Sequence, residues 1–342
     1  MRLSELEHGG SQSPPMLSIS QTMISPVNGS SDLCMEVCMG KRLPFGQRIK
    51  IGFQQWLAAL PFIAAGLILM GMFTIYPLVR NIQISVSDYN IIANKTGGFL
   101  GIQNYIRMFL DSDWLRSLRN TLLYALVTVP GQMFFGLLLA VLINSVTKAK
   151  TMFKVITYLP VITSWVVASL VFKYIFASGN GGLINYIFMQ LHFIETPVAW
   201  LQNEWTANVV LWIFGIWKGT GWTMIIYLAA LQGVSQTIYE AASIDGAGSI
   251  AKFFRITIPL VKNTTLYLLT VLTIGAFGAY IHVMMITNGA PLGRTQELMN
   301  YMYNTAFTSY DFSYAAAQAV VIGVIVFLIS LVQRKLSKET VN

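Results

Sequence analysis

The chain has 342 residues, of which 55% are hydrophobic and only 11% are charged, and its formal net charge is +8. Soluble globular proteins carry about 25% charged residues, so the composition excludes an ordinary soluble protein and indicates an integral membrane protein. The positive charge does not require nucleic-acid binding, because Lys and Arg also collect in the cytoplasmic segments of membrane proteins.

The first forty residues are polar, rich in Ser and Pro, and without hydrophobic periodicity. We therefore predict that residues 1–50 form a disordered cytoplasmic tail. This segment lacks the basic start and apolar core of a signal peptide. Met39 is an alternative translation start, a hypothesis that the mass of the native protein would test. Cys34 and Cys38 have no His or further Cys beside them, so they do not indicate a metal site.

Six segments are long enough to cross a bilayer, which takes about 20 apolar residues in a helix. They are residues 56–79, 121–145, 155–176, 207–231, 264–286 and 314–332. The first, second and sixth contain no charged residue, whereas the third contains Lys173, the fourth Lys218 and the fifth His282. The sequence predicts an all-α membrane domain of six transmembrane helices over residues 51–335, followed by a short cytoplasmic tail, 336–342.

The distribution of Lys and Arg predicts the orientation of these spans. With the N-terminus inside, most of the 22 Lys and Arg residues fall in the tails and in two interior segments, near 146–154 and 232–263. The exterior segments then lie near 80–120, 177–206 and 287–313. Both termini are therefore predicted to be cytoplasmic.

The longer interior segment, 232–263, carries clear helix start and stop signals. Thr237 followed by Glu240 matches a capping box, which predicts a helix beginning at Thr237. Gly246 supplies a left-handed residue that ends a helix. Ser249 is predicted to cap a second helix, and Pro259 prevents its straight continuation. The pattern predicts a helix, a tight glycine turn and a second amphipathic helix, over about 250–256, that leads back into the membrane.

Small residues in this segment leave two interpretations open. Ala241, Ala242 and Ala247 have little side-chain bulk, so the surface of another protein could approach the backbone closely. Alternatively, the small residues and the glycine turn let the loop fold onto the neighbouring spans, since capping boxes and glycine stops occur in many helices.

The stretch YEAASIDGAGSIAKFFRITIPLV resembles the cytoplasmic loop of permease subunits from bacterial binding-protein-dependent ABC importers. The signature of that loop is Glu-Ala-Ala, three residues, then Gly, and it corresponds here to Glu240, Ala241, Ala242 and Gly246. The resemblance extends from about residue 55 to 335. The stretches GGLINYIF and YLPVITSWVVASLVFKYIF are similar to the sugar-uptake branch, specifically to the larger maltose-type permease or the first glycerol-phosphate permease. The chain departs from that pattern at TNGAPLGRT, where Gly-Gly-Pro is usual, and at Phe312-Ser313-Tyr314, where Gly-Tyr is common.

This resemblance implies a type I ABC importer permease in the bacterial inner membrane. It implies a heterodimer with a second permease subunit, two cytosolic ATPase subunits that bind ATP and Mg²⁺, and an extracytoplasmic solute-binding protein. The residues implied in ATPase docking are Glu240, Ala241, Ala242, Asp245, Gly246 and Ala247. The sequence contains no phosphate-binding G-x-x-x-x-G-K-[ST] motif, so this chain is predicted to bind no cofactor of its own.

The fourth predicted span contains the candidate solute path. Lys218 lies near its middle, and a charge within a bilayer costs about 2.5 kcal/mol or more and usually faces protein or water. Gly219 and Gly221 are predicted to loosen the helix there, while Trp217 and Trp222 offer flat faces that suit stacking on a sugar ring. Alternatively, Lys218 snorkels from a helix with a misplaced boundary and the tryptophans are lipid or interface anchors.

The resemblance favours the solute path, because maltose-type permeases hold their solute in this region of the matching span. The predicted path residues are Trp217, Lys218, Gly219, Trp222 and, one turn further inward, Tyr227. His282 is expected to pack or hydrogen-bond locally, and we assign it no role in transport. Aromatic residues of the last exterior segment, Tyr301, Tyr303 and Phe307, are interpreted as interface aromatics.

The predicted function is ATP-driven import of a carbohydrate, a mono- or oligosaccharide or a polyol, with no covalent chemistry in this chain. Two alternatives remain. The first is import of a phosphorylated polyol such as glycerol phosphate, or of another small metabolite, for which Lys218 is a candidate phosphate partner. The second is a membrane-embedded enzyme, which is disfavoured because Glu240 and Asp245 are the only acidic residues between Glu204 and Glu297. A secondary transporter is disfavoured because no predicted span contains an acidic residue to pair with a basic one.

Overall fold

The structure is a computed structural model that describes residues 60–90, 95–146 and 148–341. The whole predicted N-terminal tail, 1–50, with Cys34, Cys38 and Met39, lies outside these residues. The chain divides between Phe73 and Thr74 into two compact units. The described part of the first unit is helical, and the features discussed below belong to the second unit.

The described residues form helices joined by short connections, with one small β-hairpin. In chain order the elements are α1 (Leu60–Ser85), β1 (Ser87–Asn90), β2 (Lys95–Phe99), α2 (Gln103–Leu110), α3 (Ser112–Ser145), α4 (Lys150–Ile162), α5 (Trp165–Ile175), α6 (Leu183–Gln190), α7 (Glu204–Gln232), α8 (Gln236–Ile244), α9 (Ser249–Leu260), α10 (Lys262–Gly278), α11 (Ile281–Ile286), α12 (Leu298–Phe307) and α13 (Phe312–Val341). Both α1 and α9 contain a π-helical turn, Gly71–Ile75 and Phe253–Thr257 respectively. The two strands pair antiparallel.

Four of these helices are long and apolar enough to cross a membrane: α1, α3, α7 and the Phe312–Lys335 part of α13. Two bent pairs, α4 with α5 and α9 with α10, raise the number to six if each pair is one span. The prediction of an all-helical membrane protein is confirmed, and the predicted six spans agree with the higher count. The sequence did not predict the hairpin, which lies in the first predicted exterior segment.

The predicted start of the second span was wrong, because α3 begins at Ser112 rather than at residue 121. Its N-cap is Asp111, whose carboxylate accepts hydrogen bonds from the backbone N–H groups of Asp113 and Trp114 at 2.9 and 3.3 Å. A capping carboxylate satisfies N–H groups that the first turn leaves free. The polar residues of this turn lower its hydropathy, so an apolar window does not detect them.

The predicted third span, 155–176, is not one helix. It is divided at Thr163 and Ser164, whose ψ angles of 146° and 136° are extended, and the axes of α4 and α5 differ in direction by 92°. Pro160 lies in the last turn of α4, where its ring removes one backbone N–H and disfavours a continuous helix. Hydropathy is continuous across this break, which is why the pattern predicted a single span.

The predicted fifth span, 264–286, is also interrupted. The α10 helix ends at Gly278, and α11 begins after Ala279 and Tyr280, which are not helical. Glycine is unfavourable within a helix and common where one ends. The sixth predicted span, 314–332, lies within α13, whose backbone stays helical to Val341 and so includes most of the predicted C-terminal tail.

The helices α3 and α7 pack along their lengths and form the centre of the second unit. One buried cluster joins α3, α7 and α10 and consists of Ala140, Ile143, Met224, Tyr227, Leu228, Leu231, Val261 and Leu268. A second joins α5, α7 and α11 and consists of Ala168, Phe172, Phe176, Val210, Leu211, Phe214, Val283 and Ile286. The α7 helix contributes to both clusters, which explains why half of its most apolar 18-residue window is buried.

Candidate functional site

The α8 helix is capped two residues before the predicted N-cap, Thr237. Its N-cap is Ser235, whose hydroxyl accepts from the backbone N–H of Thr237 at 3.4 Å. The prediction that Thr237 is the N-cap was therefore wrong, since a second hydroxyl residue two positions earlier takes that role. As a result Glu240 lies beyond the first turn and is exposed, so its carboxylate does not complete a capping box.

The glycine turn after α8 is confirmed. Gly246 has φ +77°, and no atom lies within 4 Å of the position that a Cβ would take there. The N–H of Ala247 donates to the carbonyl of Ala242 at 2.9 Å, and that of Gly246 to Ser243 at 3.1 Å. These two bonds form a Schellman motif. Glycine is favoured at 246 by its backbone conformation and not by lack of space.

The second helix of the loop is confirmed, but its cap differs from the prediction. Gly248, in an extended conformation with φ −69° and ψ 167°, is the N-cap, and Ser249 is the first helical residue. The helix passes through the π turn and Pro259 as far as Leu260, and α9 and α10 then meet at a bend of 67°. The change of direction that Pro259 predicted is therefore present, one residue after α9 ends.

The helix pair α8–α9 is braced internally and exposed externally. The ammonium of Lys252 donates to the Ser243 hydroxyl at 2.5 Å, which ties the second helix to the first. No residue of α8 is buried. Ile244 and Ile250 are 87% and 76% exposed, and Phe254 is also exposed. Ile250 and Phe254, one turn apart on α9, border the same surface pocket, and exposed apolar patches are typical of interaction sites.

A cavity of about 290 Å³ lies between α3, α4, α5, α7 and α10, half-way along α7. Its volume is close to the lower end of the range for ligand pockets, about 300 to 1,000 Å³. The lining residues are Tyr124, Thr128, Gln132, Val161, Trp165, Gly215, Lys218, Gly219, Trp222, Val271, Leu272, Gly275, Ala276 and Ala279. The cavity therefore combines aromatic faces, small residues and a few polar groups.

Lys218 points at the break between α4 and α5. Only 2% of the residue is exposed, and its ammonium donates to the carbonyl oxygens of Pro160, Val161 and Thr163 at 2.5, 3.3 and 2.5 Å. The last carbonyls of a helix have no partner within the helix and carry partial negative charge. Lys218 therefore caps the C-terminal end of α4, and the alternative that it snorkels was wrong.

Gly219 and Gly221 do not loosen α7, which is a continuous α-helix through both positions. A Cβ on Gly219 would collide with the Gln132 side chain of α3, and a Cβ on Gly221 would collide with the Thr157 carbonyl of α4. Small residues allow helix backbones to approach closely in membrane proteins. The prediction of irregular backbone here was wrong, and these glycines instead permit close packing of α7 against α3 and α4.

The structure places only some of the predicted path residues together. Lys218, Gly219 and Trp222 line the cavity. Trp217, which is 41% exposed, lies outside the cavity lining, with its ring 5.1 Å from that of Phe172. Tyr227 is also outside the lining, buried in the first cluster with its hydroxyl donating to Thr265 at 3.1 Å.

The contribution of α3 to the cavity was not predicted from the sequence. Tyr124, Thr128 and Gln132 are spaced four residues apart, so they lie on one face of the helix. The available signal was this line of polar residues within an otherwise apolar span. It was overlooked because the span was judged by its mean hydropathy and by its lack of charge.

His282 packs and hydrogen-bonds locally, as predicted, but its partner was not foreseen. Its ring stacks on Tyr124 with centroids 4.8 Å apart, and its Nε2 lies 3.3 Å from Oε1 of Glu297. Both residues are buried, at 0% and 1% exposed. Burial raises the pKa of Glu297, and the neighbouring His282 opposes that shift.

Two tyrosines near the predicted exterior converge on one carboxylate. The hydroxyls of Tyr301 and Tyr314 each donate to Oδ2 of Asp111 at 2.7 Å. Burial alone would raise the pKa of Asp111, but these hydrogen bonds and those from the first turn of α3 outweigh it, so the pKa lies below its ordinary value. Tyr301 is thus bound to α3, whereas Tyr303 stacks between Tyr280 and Phe307.

Within the described ranges, no group of three or more His, Cys, Asp or Glu side chains is placed to hold a metal ion.

Known proteins resemble this chain in sequence and in fold. Residues 112–341 match the family of binding-protein-dependent transport system inner membrane components. The lactose transport system permease protein LacF of Rhizobium radiobacter is 33% identical over 282 residues, which covers 81% of this chain and 93% of LacF. The arabinooligosaccharides transport system permease protein AraP of Bacillus subtilis is 31% identical over 284 residues, covering 82% of this chain and 88% of AraP.

A solved structure supports the same fold. A chain in the crystal structure of a bacterial ABC transporter involved in the import of the acidic polysaccharide alginate superposes with a TM-score of 0.72 at 21% identity. The superposition covers 86% of this chain and 98% of the other. Together with the family match over residues 112–341, these likenesses show that the chain is a transport permease and not an enzyme. It belongs to the inner membrane components of binding-protein-dependent transport systems.

Proposed function

We propose that this permease imports a neutral carbohydrate, a mono- or oligosaccharide or a polyol, through the cavity beside Lys218, driven by ATP hydrolysis on partner subunits. The carbohydrate class is supported by relatives named for lactose and arabinooligosaccharide transport. It is also supported by the flat faces of Trp165 and Trp222 in the cavity lining, since indole rings combine an apolar surface with an N–H donor.

The observation that carries the choice of a neutral solute is the saturation of Lys218. It is the only charged residue in the cavity lining among the described residues. An ammonium has three N–H donors, and here three backbone carbonyls accept from it. Charged donors bind a phosphate group more strongly than neutral ones, and the ammonium in this lining is already occupied. This disfavours import of glycerol phosphate or a similar anion.

The α8–α9 loop is the proposed docking site for an ATPase subunit. Of the residues implied in docking, Glu240, Ala241, Asp245 and Gly246 are exposed, and Ala242 and Ala247 are half-buried. The exposed Ile244, Ile250 and Phe254 add apolar contact area. Because α9 leads directly into α10, and α10 lines the cavity with Val271 and Gly275, movement of this loop reaches the solute path through consecutive helices.

The complete transporter in this proposal contains a second permease subunit, two ATPase subunits and an extracytoplasmic solute-binding protein. Both termini and the α8–α9 loop then face the cytoplasm, as the distribution of Lys and Arg predicts. The β1–β2 hairpin and α12 face the opposite side, where the binding protein delivers the solute. ATP and Mg²⁺ bind to the partner ATPases and not to this chain.

The experiment that tests the solute class is ATPase activity of the reconstituted complex with its binding protein. The panel contains neutral mono- and oligosaccharides, polyols and phosphorylated polyols, and the complex without binding protein is the control. We expect stimulation by a neutral carbohydrate and none by its phosphorylated counterpart. Stimulation by phosphorylated polyols alone would establish the alternative, and stimulation by no carbohydrate would overturn the proposed solute class.

Docking is tested separately by site-directed cross-linking in the assembled complex, with Cys34 and Cys38 replaced. Ala241→Cys should cross-link to an ATPase subunit. Gly181→Cys is the matched control, since position 181 lies in a predicted exterior segment and has no neighbour within 4 Å of an added Cβ. Cross-linking of the ATPase to position 181 but not to 241 would reverse both the docking site and the orientation.

A further inference from the structure

One wall of the cavity is formed by polar residues of α3 that pack against a glycine face of α7. Tyr124 and Gln132 lie two turns apart on α3, opposite Gly215 and Gly219. A Cβ on Gly215 would collide with the Tyr124 hydroxyl, and one on Gly219 would collide with the Gln132 amide. The two glycines therefore leave space in which these polar groups lie directly over the α7 backbone.

Both polar groups keep hydrogen-bonding capacity that the protein does not use. Tyr124 is only 3% exposed, yet its hydroxyl has no hydrogen-bond partner among the described residues. Gln132 donates from Nε2 to the Gly215 carbonyl at 3.1 Å, and its Oε1 accepts no hydrogen bond from a described residue. Tyr124 is buried, and buried polar groups are nearly always paired, whereas Gln132 is half-buried beside the cavity. Because both groups line the cavity, a solute held there can supply the missing hydrogen-bond partner.

The other polar residues of the lining are less available. The Lys218 ammonium is occupied by three carbonyls. The Thr128 hydroxyl donates to the carbonyl of Tyr124, within its own helix, at 2.7 Å. Trp165 and Trp222 contribute flat faces and one N–H each. Tyr124 and Gln132 are therefore the groups that can both donate to and accept from solute hydroxyls.

The Tyr124 ring is held in place from behind. It stacks on His282 with centroids 4.8 Å apart and an interplanar angle of 29°. His282 is in turn fixed by Glu297 at 3.3 Å and by the ring of Phe214, which is 6.0 Å away and nearly parallel. A group whose orientation is fixed before the ligand arrives discriminates between ligands better than a mobile one.

We propose that Tyr124 and Gln132 determine the specificity of this permease, by exchanging hydrogen bonds with hydroxyl groups of the carbohydrate, while Lys218 fixes the adjoining helix break. This inference rests on the proposed function, since it assigns the residues that select its solute. The specificity of such a site depends on which hydroxyl groups the solute carries. A site built to bond a hydroxyl rejects an analogue that lacks it.

The test uses the whole reconstituted complex with its binding protein and measures the solute concentration that gives half-maximal uptake. Tyr124→Phe and Gln132→Met each remove hydrogen-bonding groups while nearly preserving volume. We expect each to raise that concentration for the best neutral carbohydrate by about 3- to 10-fold. Each should also reduce discrimination against the deoxy analogue that lacks the contacted hydroxyl.

The matched control is Tyr105→Phe, which removes a tyrosine hydroxyl that bonds Ser85 at 2.7 Å, away from the cavity. If both cavity variants assemble and their solute profiles equal that of Tyr105→Phe, the inference is overturned while the proposed function stands. If the wild-type complex responds to no carbohydrate, the proposed function fails first and the inference fails with it. If one variant does not assemble, the other decides the outcome.

Discussion

The ammonium of Lys218 lies 2.5 Å from the carbonyl oxygen of Pro160, so a side chain in the middle of α7 closes the end of α4. The same ammonium also donates to the carbonyl of Thr163, the residue that directly follows α4, at 2.5 Å. One charge therefore satisfies backbone groups at the point where a proline and two extended residues interrupt the predicted third span. The ammonium stabilises the helix break by donating to these carbonyls, and the carbonyls offset the cost of burying the ammonium.

Replacement of Lys218 by Met should destabilise the permease. The substitution keeps most of the apolar stem but leaves the carbonyls of Pro160, Val161 and Thr163 without a donor, at a cost of about 2 to 4 kcal/mol. We expect a clear fall in the thermal unfolding temperature of the purified complex, with uptake reduced in parallel. Lys218→Arg, which retains the charge, is the comparison and should recover part of the stability. Equal unfolding temperatures for wild type and Lys218→Met would contradict the capping role.

Gly246→Val should leave the protein inserted but uncouple transport from ATP hydrolysis. The backbone at 246 has φ +77°, which a β-branched residue adopts only at a cost of about 1 to 3 kcal/mol. The turn between α8 and α9 should therefore change shape. Gly248→Ala is the control, because φ is −69° there and no atom lies within 4 Å of an added Cβ. Uptake and solute-stimulated ATPase activity are measured for both, and normal uptake by Gly246→Val would remove the requirement for a left-handed turn.

Gly219→Ala should weaken the contact between α3 and α7. The added methyl group would occupy the place of the Gln132 amide, and overpacking of this kind costs about 1 to 3 kcal/mol. Gly275→Ala is the comparison, because position 275 lines the cavity and has open space for a Cβ. It should lower the stability of the fold much less than Gly219→Ala. The double variant Gly219→Ala with Gln132→Ala should recover stability relative to Gly219→Ala, which a double-mutant cycle measures. If the changes in the free energy of unfolding of the two single variants simply add in the double variant, the two side chains do not compete for space.

Asp111→Asn should reduce stability at neutral pH by weakening the acceptor of the Tyr301 and Tyr314 hydroxyls. The pKa of Asp111 in the folded protein lies below its ordinary value of 3.8. The ionised carboxylate therefore contributes stability that is fully present above the ordinary pKa and is lost as the pH falls through the lower, folded-state pKa. We expect the difference in unfolding temperature between wild type and variant to be largest near neutral pH and to shrink below pH 3.8. A difference that grows on acidification would reverse the sign of this linkage.

Hydropathy predicted the approximate places of the candidate spans, because burial in lipid requires long apolar helices whatever their neighbours. It did not predict the breaks at Thr163 and Ala279, because they leave the apolar composition of the segments unchanged; the first break also depends on Lys218, which is distant in sequence. The capping error at Thr237 had a local cause, since Ser235 and Thr237 are both able to cap and only the backbone geometry separates them.

The candidate site was predicted in part for a similar reason. Lys218 and Trp222 stand out in an apolar span, so they were found. Tyr124 and Gln132 belong to a span without charge, and their importance depends on the glycines of α7 that face them. The partnership of His282 with Glu297 joins two segments that sequence analysis treated separately, one within a span and one in an exterior loop.

The 67° bend between α9 and α10 sets the direction in which a displacement of the loop acts. A push along the axis of α9 has its larger component perpendicular to α10 and only a minor component along it. The α10 residues in the lining, among them Val271 and Gly275, would then move mainly sideways to the axis of α10. In the proposed mechanism, pressure on the loop would therefore displace α10 sideways, and this displacement would change the width of the proposed solute path.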